Sequence, residues 1–358
     1  CIDQNMGRLE SMLGETGLRE NTILIWMTDN GGTVGVPFYN AGMRGRKTSL
    51  YEGGHRVPCF IRWPAAGLDT AADIDTAAQV QDILPTLRDF CGLAVPDDTP
   101  LDGTSLDGLL RGEDLDERMF VVQYGMHPSH PFETEWYGDP HKWDSTVVWG
   151  KWRLVMGEEL YNIESDPGQE EDAAAQHPDI VDKMREYYEE WWGRLEPYVF
   201  DFSHIPVGAD QAPEVCLTSH VWLSTPVTLT YERFERGNVR YGPRKNGPWN
   251  ILVERAGRYR ISLRRWPKEA DAAIRGGVPE YMPKDDTFGP FVEGVALPVA
   301  QARIAVGEVD ACQPVESGQK SADFEVQLPE GPTRLQSWFL DDSGEEICGA
   351  YYAYVERV

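Results

Sequence analysis

Hydrophobic positions in the first part of the chain follow two different spacings. From Ile2 to Leu18 the apolar residues recur near helical spacing, which predicts an amphipathic helix that Gly17 interrupts. The continuous apolar run Thr22–Thr28 comes next and predicts a buried strand. A helix, a short turn and a buried strand in succession indicate an α/β layer.

Helical spacing returns over Gln79–Cys91 and Ile180–Leu195, with short strands predicted between them. Beyond Glu196 the apolar residues alternate at every second position instead, in segments separated by Gly, Pro and Asp. These segments are Val227–Tyr231, Trp249–Glu254, Arg258–Arg264, Phe324–Leu328, Arg334–Leu340 and Tyr351–Val355. The pattern predicts an antiparallel β-sandwich for the second part of the chain.

These patterns divide the chain into two domains. We predict an α/β domain over residues 1–197, a proline-containing linker over 198–213 and the β-sandwich over 214–358. The chain begins at Cys1 and not at methionine, so we expect it to start within a longer protein.

The amino-acid composition argues against several classes of protein. With 41% hydrophobic and 26% charged residues the chain is globular in composition, and its apolar runs are too short to cross a membrane. Acids outnumber bases by 59 to 33, and this net charge of −26 argues against binding to nucleic acid. The six cysteines are scattered, so neither a zinc site nor a disulfide framework is indicated.

Candidate chemistry begins where the first predicted strand ends. Asp29 and Asn30 follow that strand and precede Gly31 and Gly32. A carboxylate and an amide oxygen at a strand end are hard ligands suited to calcium or magnesium, and the glycines allow a sharp turn. Turn formation alone would also account for these residues.

A basic cluster follows in an otherwise acidic region. Between Asn40 and Trp63 the chain carries five bases and one acid, a local net charge of +4. The bases are Arg44, Arg46, Lys47, Arg56 and Arg62. Cations beside a metal site suit an anionic substrate, although single members could equally be surface charges or partners of nearby acids.

Four segments in order carry a resemblance to a known family. They are NMGRLESMLGETGLRENTILIWMTDNGG, GRKTSLYEGGHRVPCFIRWP, DILPTLRDFCGL with LDGTSLDGLLRG, and WGKWRLV followed by ELYNIESDP. Together they resemble the C-terminal half of the sulfatase catalytic domain, and the element from Lys47 to Gly54 is the most discriminating. The resemblance implies an alkaline-phosphatase-like α/β core and hydrolysis of sulfate esters with one calcium ion.

The resemblance also implies roles for individual residues. Asp29 and Asn30 match two of the family's calcium ligands, and Lys47 matches the lysine that contacts the sulfate ester. The family's formylglycine nucleophile arises from Cys or Ser in a motif with Pro or Ala two residues later and Arg four residues later, and no cysteine here begins that motif. We therefore expect the nucleophile and the remaining calcium ligands to lie upstream of Cys1, and this chain to be inactive alone.

Substrate recognition is predicted in two places. Arg44, Arg46 and His55 lie close in sequence to Lys47, and the segment Gln123–Trp143 is rich in His, Pro and aromatic residues. In that segment His127 could line a leaving-group pocket and Trp136 could stack on a sugar ring, or the segment could be a loop packed by its own aromatic residues. His55 could equally have a structural role. The expected substrate is a sulfated carbohydrate or an aryl sulfate, and the family implies a periplasmic or secreted protein.

The second domain has a basic stretch of its own. From Arg236 to Lys268 there are ten bases and one acid, Glu254. Strand alternation places Arg258 and Arg260 on one face, which could bind a sulfated polyanion or contact the acidic first domain.

Two alternatives to a sulfatase stay open. One is a phosphomonoester or phosphonate hydrolase of the same superfamily, and the other is a non-catalytic polyanion-binding protein. The sequence does not indicate an oligomeric state.

Overall fold

The structure is a computed structural model that describes residues 2–94, 96, 99–124, 141–199, 201, 203–222, 236–282 and 291–358. The described residues fall into two units, the first ending at Pro197 and the second beginning at Tyr198. The limits of the linker remain a prediction. The strand Ile205–Val207 lies inside the segment that we assigned to the linker.

Helices and strands are mixed in the first unit, which confirms the predicted α/β class. Its helices are α1 (Ile2–Glu15), α2 (Glu52–His55), α3 (Ile83–Cys91), α4 (Asp107–Leu110) and α5 (Pro178–Leu195). Its strands are β1 (Leu24–Met27), β2 (Cys59–Arg62), β3 (Met119–Gln123), β4 (Ser145–Trp149), β5 (Trp152–Val155) and β6 (Glu159–Asn162). Along the part of the chain that the structure describes, no helix has the length and apolar character that a membrane crossing requires.

The strands β3, β4, β5 and β6 form an antiparallel sheet in chain order. The side chains of Val147, Leu154 and Leu160 on it are fully buried. The helix α5 contacts β3 and β4, and it buries a stripe of residues three or four positions apart: Val181, Met184, Tyr188 and Trp192. This spacing on one helix face is the pattern from which the helix was predicted.

The other sheet of the first unit keeps much of its apolar surface exposed. The strand β1 pairs antiparallel with β2 over four residues each, and none of these eight residues is buried. Phe60 packs against Trp26 at 5.5 Å between ring centroids and still exposes 64% of its side chain. In α1 only Leu13 is buried. An isolated pair of short strands with an exposed apolar face is at best marginally stable by itself.

A buried carboxylate organises the start of α3. Asp82 is fully buried, and its oxygens accept the backbone N–H groups of Gln79 and Thr104, both at 2.8 Å. Both terminal nitrogens of Arg118 also donate to it, at 2.7 and 2.5 Å. Burial acts to raise the pKa of Asp82, but the Arg118 guanidinium and the two backbone donors outweigh it and hold the pKa below its ordinary value.

This arrangement predicts a pH-dependent loss of stability. Because the folded pKa is lowered, the contribution of Asp82 is present above the unfolded pKa of about 3.9 and is lost as the pH falls through the folded value. We expect Asp82→Asn to lower the free energy of unfolding at pH 7 by about 1.5–3 kcal/mol, the range for hydrogen bonds to charged groups. Urea unfolding at pH 7 and at pH 3 should show the difference shrinking at the lower pH. Asp107→Asn, which removes an exposed ion pair with Arg111, is the matched control, and an equal effect of both variants would contradict the prediction.

The second unit is built from antiparallel sheets. Its elements are β7 (Ile205–Val207), β8 (Glu214–Thr218), α6 (Arg236–Tyr241), β9 (Trp249–Val253), β10 (Gly257–Arg264), β11 (Gln301–Val306), β12 (Val309–Pro314), β13 (Ala322–Leu328), β14 (Gly331–Leu340), β15 (Glu346–Cys348) and β16 (Tyr352–Arg357). One sheet has the order β13-β10-β16-β8 and the other β12-β11-β14-β9-β7, with β15 beside β14. The exception to antiparallel pairing is β7, which runs parallel to β9.

Both sheets contribute to one hydrophobic core. Ile261 and Val355 come from the first sheet, and Trp249, Ile304 and Phe339 come from the second. Two sheets that share one core are the arrangement that the alternating pattern predicts, and they support the predicted β-sandwich. The predicted segment Val227–Tyr231 lies outside the described residues.

Among the described residues, five of the ten bases in the basic stretch of the second unit form ion pairs with acids of the same unit. Arg260 is 3.0 Å from Glu356, and Arg258 is 3.8 Å from Glu325. Further pairs are Arg244–Glu345, Arg255–Asp210 and Lys268–Glu214. Exposed pairs of this kind add little stability, but they offset the local positive charge that a polyanion would need.

Candidate active site

Two segments of the first unit are joined by backbone hydrogen bonds at the end of β1. The N–H of Gly31 donates to the carbonyl of Gly54 at 2.9 Å, and the N–H of Lys47 donates to the carbonyl of Gly32 at 2.9 Å. The segment Asp29–Gly32 is thereby fastened to the segment Arg44–Gly54. The structure thus brings together the two regions that hold the predicted calcium ligands and the predicted sulfate-binding lysine.

The close approach of these segments depends on glycine. A β-carbon on Gly31 would lie 1.8 Å from the carbonyl oxygen of Gly53, and one on Gly54 would lie 2.0 Å from that of Ser49. No side chain fits at these distances. The Gly-Gly pairs of both motifs therefore allow the two backbones to come into contact. This role is additional to the turn that the sequence predicted.

Lys47 is a half-buried cation of this cluster. Among the described residues no carboxylate forms an ion pair with it, and no hydrogen bond of its ammonium group to them is observed. The neighbouring Arg46 is exposed and likewise forms no ion pair with that part of the protein. Two further bases of the cluster form ion pairs with acids, Arg56 with Glu52 at 3.4 Å and Arg62 with Glu10 at 2.7 Å.

Arg44 has protein partners for its guanidinium group. Its Nη1 donates to the Tyr161 hydroxyl at 3.1 Å and to the Gln169 carbonyl at 2.8 Å, and its Nη2 donates to the Tyr51 hydroxyl at 2.9 Å. The Arg44 Cζ atom also lies 3.7 Å from the centroid of the Tyr51 ring. These contacts favour a structural role for Arg44, which is to hold the loop. They favour that role more than the substrate contact that the sequence predicted.

His55 is directed at the protein backbone. Its Nε2 lies 3.2 Å from the carbonyl oxygen of Leu50, which can only accept a hydrogen bond, so the ring carries its proton on that nitrogen. Burial lowers the pKa of His55, with the Glu52 carboxylate acting in the opposite direction. The ring is therefore neutral at pH 7 and contributes no cation beside Lys47.

The sequence did not reveal the buried ion pair beneath this loop. The Glu52 carboxylate accepts from the Nε of Arg153 at 2.6 Å, and both side chains are at least 93% buried. The N–H of Glu52 donates to the side-chain oxygen of Gln169 at 2.8 Å. The carbonyl of Leu50 accepts from the Thr146 hydroxyl. These contacts join the loop to the sheet formed by β3–β6.

Asp29 and Asn30 have side-chain oxygens that suit calcium, but two residues cannot complete a calcium site. Asp29 is exposed at the end of β1, and its Oδ1 accepts the N–H of Asn30 at 3.0 Å, which leaves Oδ2 without a donor among the described residues. Calcium takes six to eight oxygens. Within the described ranges no group of three or more His, Cys, Asp or Glu side chains is arranged to hold a metal ion. The pair could therefore supply only part of a calcium shell.

Two predicted substrate contacts lie outside the described residues. His127 and Trp136 belong to the segment 125–140, for which the structure gives no description. Their role stays a prediction from the sequence.

Comparison with known proteins shows that part of the first unit is similar to sulfatases. The sulfatase family model matches residues 1–93. An N-acetylgalactosamine-6-O-sulfatase from Bacteroides thetaiotaomicron is 27% identical over 204 residues, which cover 52% of this chain and 40% of that protein. A sulfatase from Formosa agariphila is 36% identical over 124 residues, 31% of this chain and 22% of that protein.

A solved structure gives a weaker match. The crystal structure of Ps i-CgsB in complex with k-i-k-neocarrahexaose has a TM-score of 0.45 and 23% identity, and the match covers 53% of this chain and 40% of that one. The present chain spans between about a fifth and two fifths of the length of the two curated relatives. The matched part includes Asp29, Asn30 and Lys47, and through these N-terminal residues the chain is similar to the sulfatase family.

Proposed function

We propose that this chain is the C-terminal part of a sulfatase catalytic domain followed by an accessory β-sandwich, and that the full-length protein hydrolyses sulfate esters. The observation that carries the proposal is the backbone junction of the two motifs, with Lys47 bonded to Gly32 and Gly31 bonded to Gly54, each at 2.9 Å. This junction would hold the proposed calcium ligands and the proposed sulfate-binding cation in one loop cluster.

Each residue would have a distinct task. The ammonium group of Lys47 would donate to the sulfate ester and offset negative charge on the leaving oxygen. Asp29 and Asn30 would hold calcium, which supplies positive charge against the sulfate oxygens. The nucleophile would be a formylglycine outside this chain. Arg46, exposed beside Lys47, is the remaining cation of the cluster that we propose as a substrate contact.

A sulfated carbohydrate is the substrate class that we propose. The relative from Bacteroides thetaiotaomicron is named as an N-acetylgalactosamine-6-O-sulfatase, which supports a sugar sulfate. His127 and Trp136 remain candidates for contacts to the sugar. We also propose export to the periplasm or beyond, where sulfated polysaccharides of the surroundings would be accessible.

The exposed apolar surface of β1, β2 and α1 supports the proposal that the catalytic domain is longer than this chain. Further protein would cover Phe60 and its neighbours, and it would bring the remaining calcium ligands and the nucleophile. The 358-residue chain alone would therefore be inactive.

Of the two rival functions, polyanion binding by the second unit loses support because its basic strand is paired with acids. A phosphomonoester or phosphonate hydrolase of the same superfamily would use similar ligands, so kinetics must separate it from a sulfatase.

The experiment compares an aryl sulfate with the matching aryl phosphate on the full-length protein, on this chain alone and after treatment with a chelator. We expect hydrolysis of the sulfate by the full-length protein, its loss on chelation and its recovery with calcium. The chain alone should show no turnover above background. Faster hydrolysis of the phosphate, or turnover by the chain alone, would overturn the proposal.

A further inference from the structure

The segment that carries Lys47 is held at both of its ends by the same small cluster of side chains. Arg44 and Tyr51 flank Lys47, and both reach β6, where Glu159 and Tyr161 lie. We call Arg44, Tyr51, Glu159 and Tyr161 the clamp. Its members come from two separate stretches of the first unit, so it fixes a loop against a sheet.

Hydrogen bonds join all four side chains of the clamp. One oxygen of Glu159, Oε2, accepts from the Tyr51 hydroxyl at 2.9 Å and from the Tyr161 hydroxyl at 2.8 Å. Both hydroxyls in turn accept from Arg44. Each tyrosine thus links the cation to the anion. Burial, followed by the hydrogen bond to Glu159, raises the pKa of Tyr161 to about 12, so this hydroxyl keeps its proton over the physiological range.

The backbone between the two ends is under strain. Thr48, next to Lys47, has φ of 77°, and Gly45 has φ of 85°. A β-branched residue is strongly disfavoured in the left-handed region and persists there only where the surrounding structure imposes it. The turn Arg46–Ser49 closes with a hydrogen bond of 2.9 Å between Ser49 N–H and the Arg46 carbonyl. The clamp and the bond from Lys47 to Gly32 contribute to holding this conformation, together with the hydrogen bond from the Arg46 N–H to the Ser49 hydroxyl at 3.1 Å.

We infer that Arg44 and Glu159, acting through Tyr51 and Tyr161, are positioning residues that hold the Lys47 ammonium group in place for sulfate transfer. The inference rests on the proposed function. A cation placed in advance stabilises developing charge without reorganisation, and a misplacement of about 1 Å can cost 100-fold in rate.

The test is a double-mutant cycle on the full-length protein with an aryl sulfate. Tyr161→Phe removes one hydroxyl and keeps the ring, and Glu159→Ala removes the shared acceptor. We expect kcat to fall about 10-fold for Tyr161→Phe and up to about 100-fold for Glu159→Ala, with smaller changes in KM. In a Lys47→Ala background the same changes should alter kcat less than about twofold, because residues that act as a unit are not additive.

Tyr187→Phe is the matched control, since the Tyr187 hydroxyl donates to the Met119 carbonyl at 2.7 Å away from the clamp. It should leave kcat unchanged while lowering the thermal midpoint about as much as Tyr161→Phe. Multiplicative effects of Lys47→Ala and Glu159→Ala would overturn the positioning role and leave the proposed function intact. Unchanged kcat in Lys47→Ala itself would overturn the role proposed for Lys47 and, with it, the positioning role, whereas absence of aryl sulfate turnover by the unaltered full-length protein would overturn the proposed function.

Discussion

Replacing Lys47 by alanine is expected to lower kcat for a sulfate ester about 100- to 1000-fold in the full-length protein, the range seen when one donor to a developing oxyanion is removed. The half-buried Lys47 has no ion pair with a carboxylate among the residues that the structure describes, so its charge is available to an anionic ligand. Lys47→Arg keeps the charge but changes its shape, and should recover only part of the rate. Steady-state kinetics with an aryl sulfate give the measurement.

Lys151→Ala provides the control for this variant. Lys151 is an exposed lysine of the same unit, 3.9 Å from Glu164, and its removal should change kcat less than twofold. If Lys47→Ala raised KM with kcat unchanged, Lys47 would contribute equally to ground-state and transition-state binding. That result would contradict the role proposed for Lys47 in the transition state.

Local patterns predicted much of the fold because they depend on neighbours in sequence. The helical spacing of Ile180–Leu195 corresponds to α5, and the alternation of Arg258–Arg264 corresponds to β10. The clustering of glycines, carboxylate and lysine in two motifs also indicated the candidate site, since those residues lie within 26 positions of one another between Asp29 and Gly54. No pairing across long distances in the chain was needed for these inferences.

Contacts between residues that are far apart in the sequence could not be predicted from local patterns. Arg153 follows Glu52 by 101 residues, and Glu159 follows Tyr51 by 108. Neither acid carries a local signal that names its partner. The basic stretch of the second unit shows the same limit: its charges are close in sequence, but strand pairing sets Arg260 opposite both Glu325 and Glu356. Cross-strand neighbours decide the local charge there, and composition along one segment does not.

The buried pair of Glu52 and Arg153 leads to the largest expected effect on stability. Glu52→Gln keeps the size of the side chain but leaves the Arg153 guanidinium, with 7% of its side chain exposed, without its carboxylate. Removing one partner of a buried ion pair costs about 3–5 kcal/mol, because the remaining charge stays desolvated and uncompensated. For a domain of about 200 residues each kcal/mol lowers the thermal midpoint by about 2–4 °C. We therefore expect a loss of roughly 6–20 °C, measured by calorimetry together with urea unfolding.

Two further variants show whether the unpaired charge is the cause. The double variant Glu52→Leu with Arg153→Met removes both charges and should recover most of the loss, since apolar replacement of a buried pair is often neutral or stabilising. Glu189→Gln breaks the exposed pair with Lys142, 2.6 Å long, and should cost less than about 1 kcal/mol. If the double variant were as unstable as Glu52→Gln, the hydrogen bonds of this loop to the sheet, and not the charge left on Arg153, would account for the loss. The ion pair would then stabilise the protein by orienting side chains. In that case the hydrogen bonds from Arg153 to the Gly150 and Trp152 carbonyls would depend on the Glu52 carboxylate beside them.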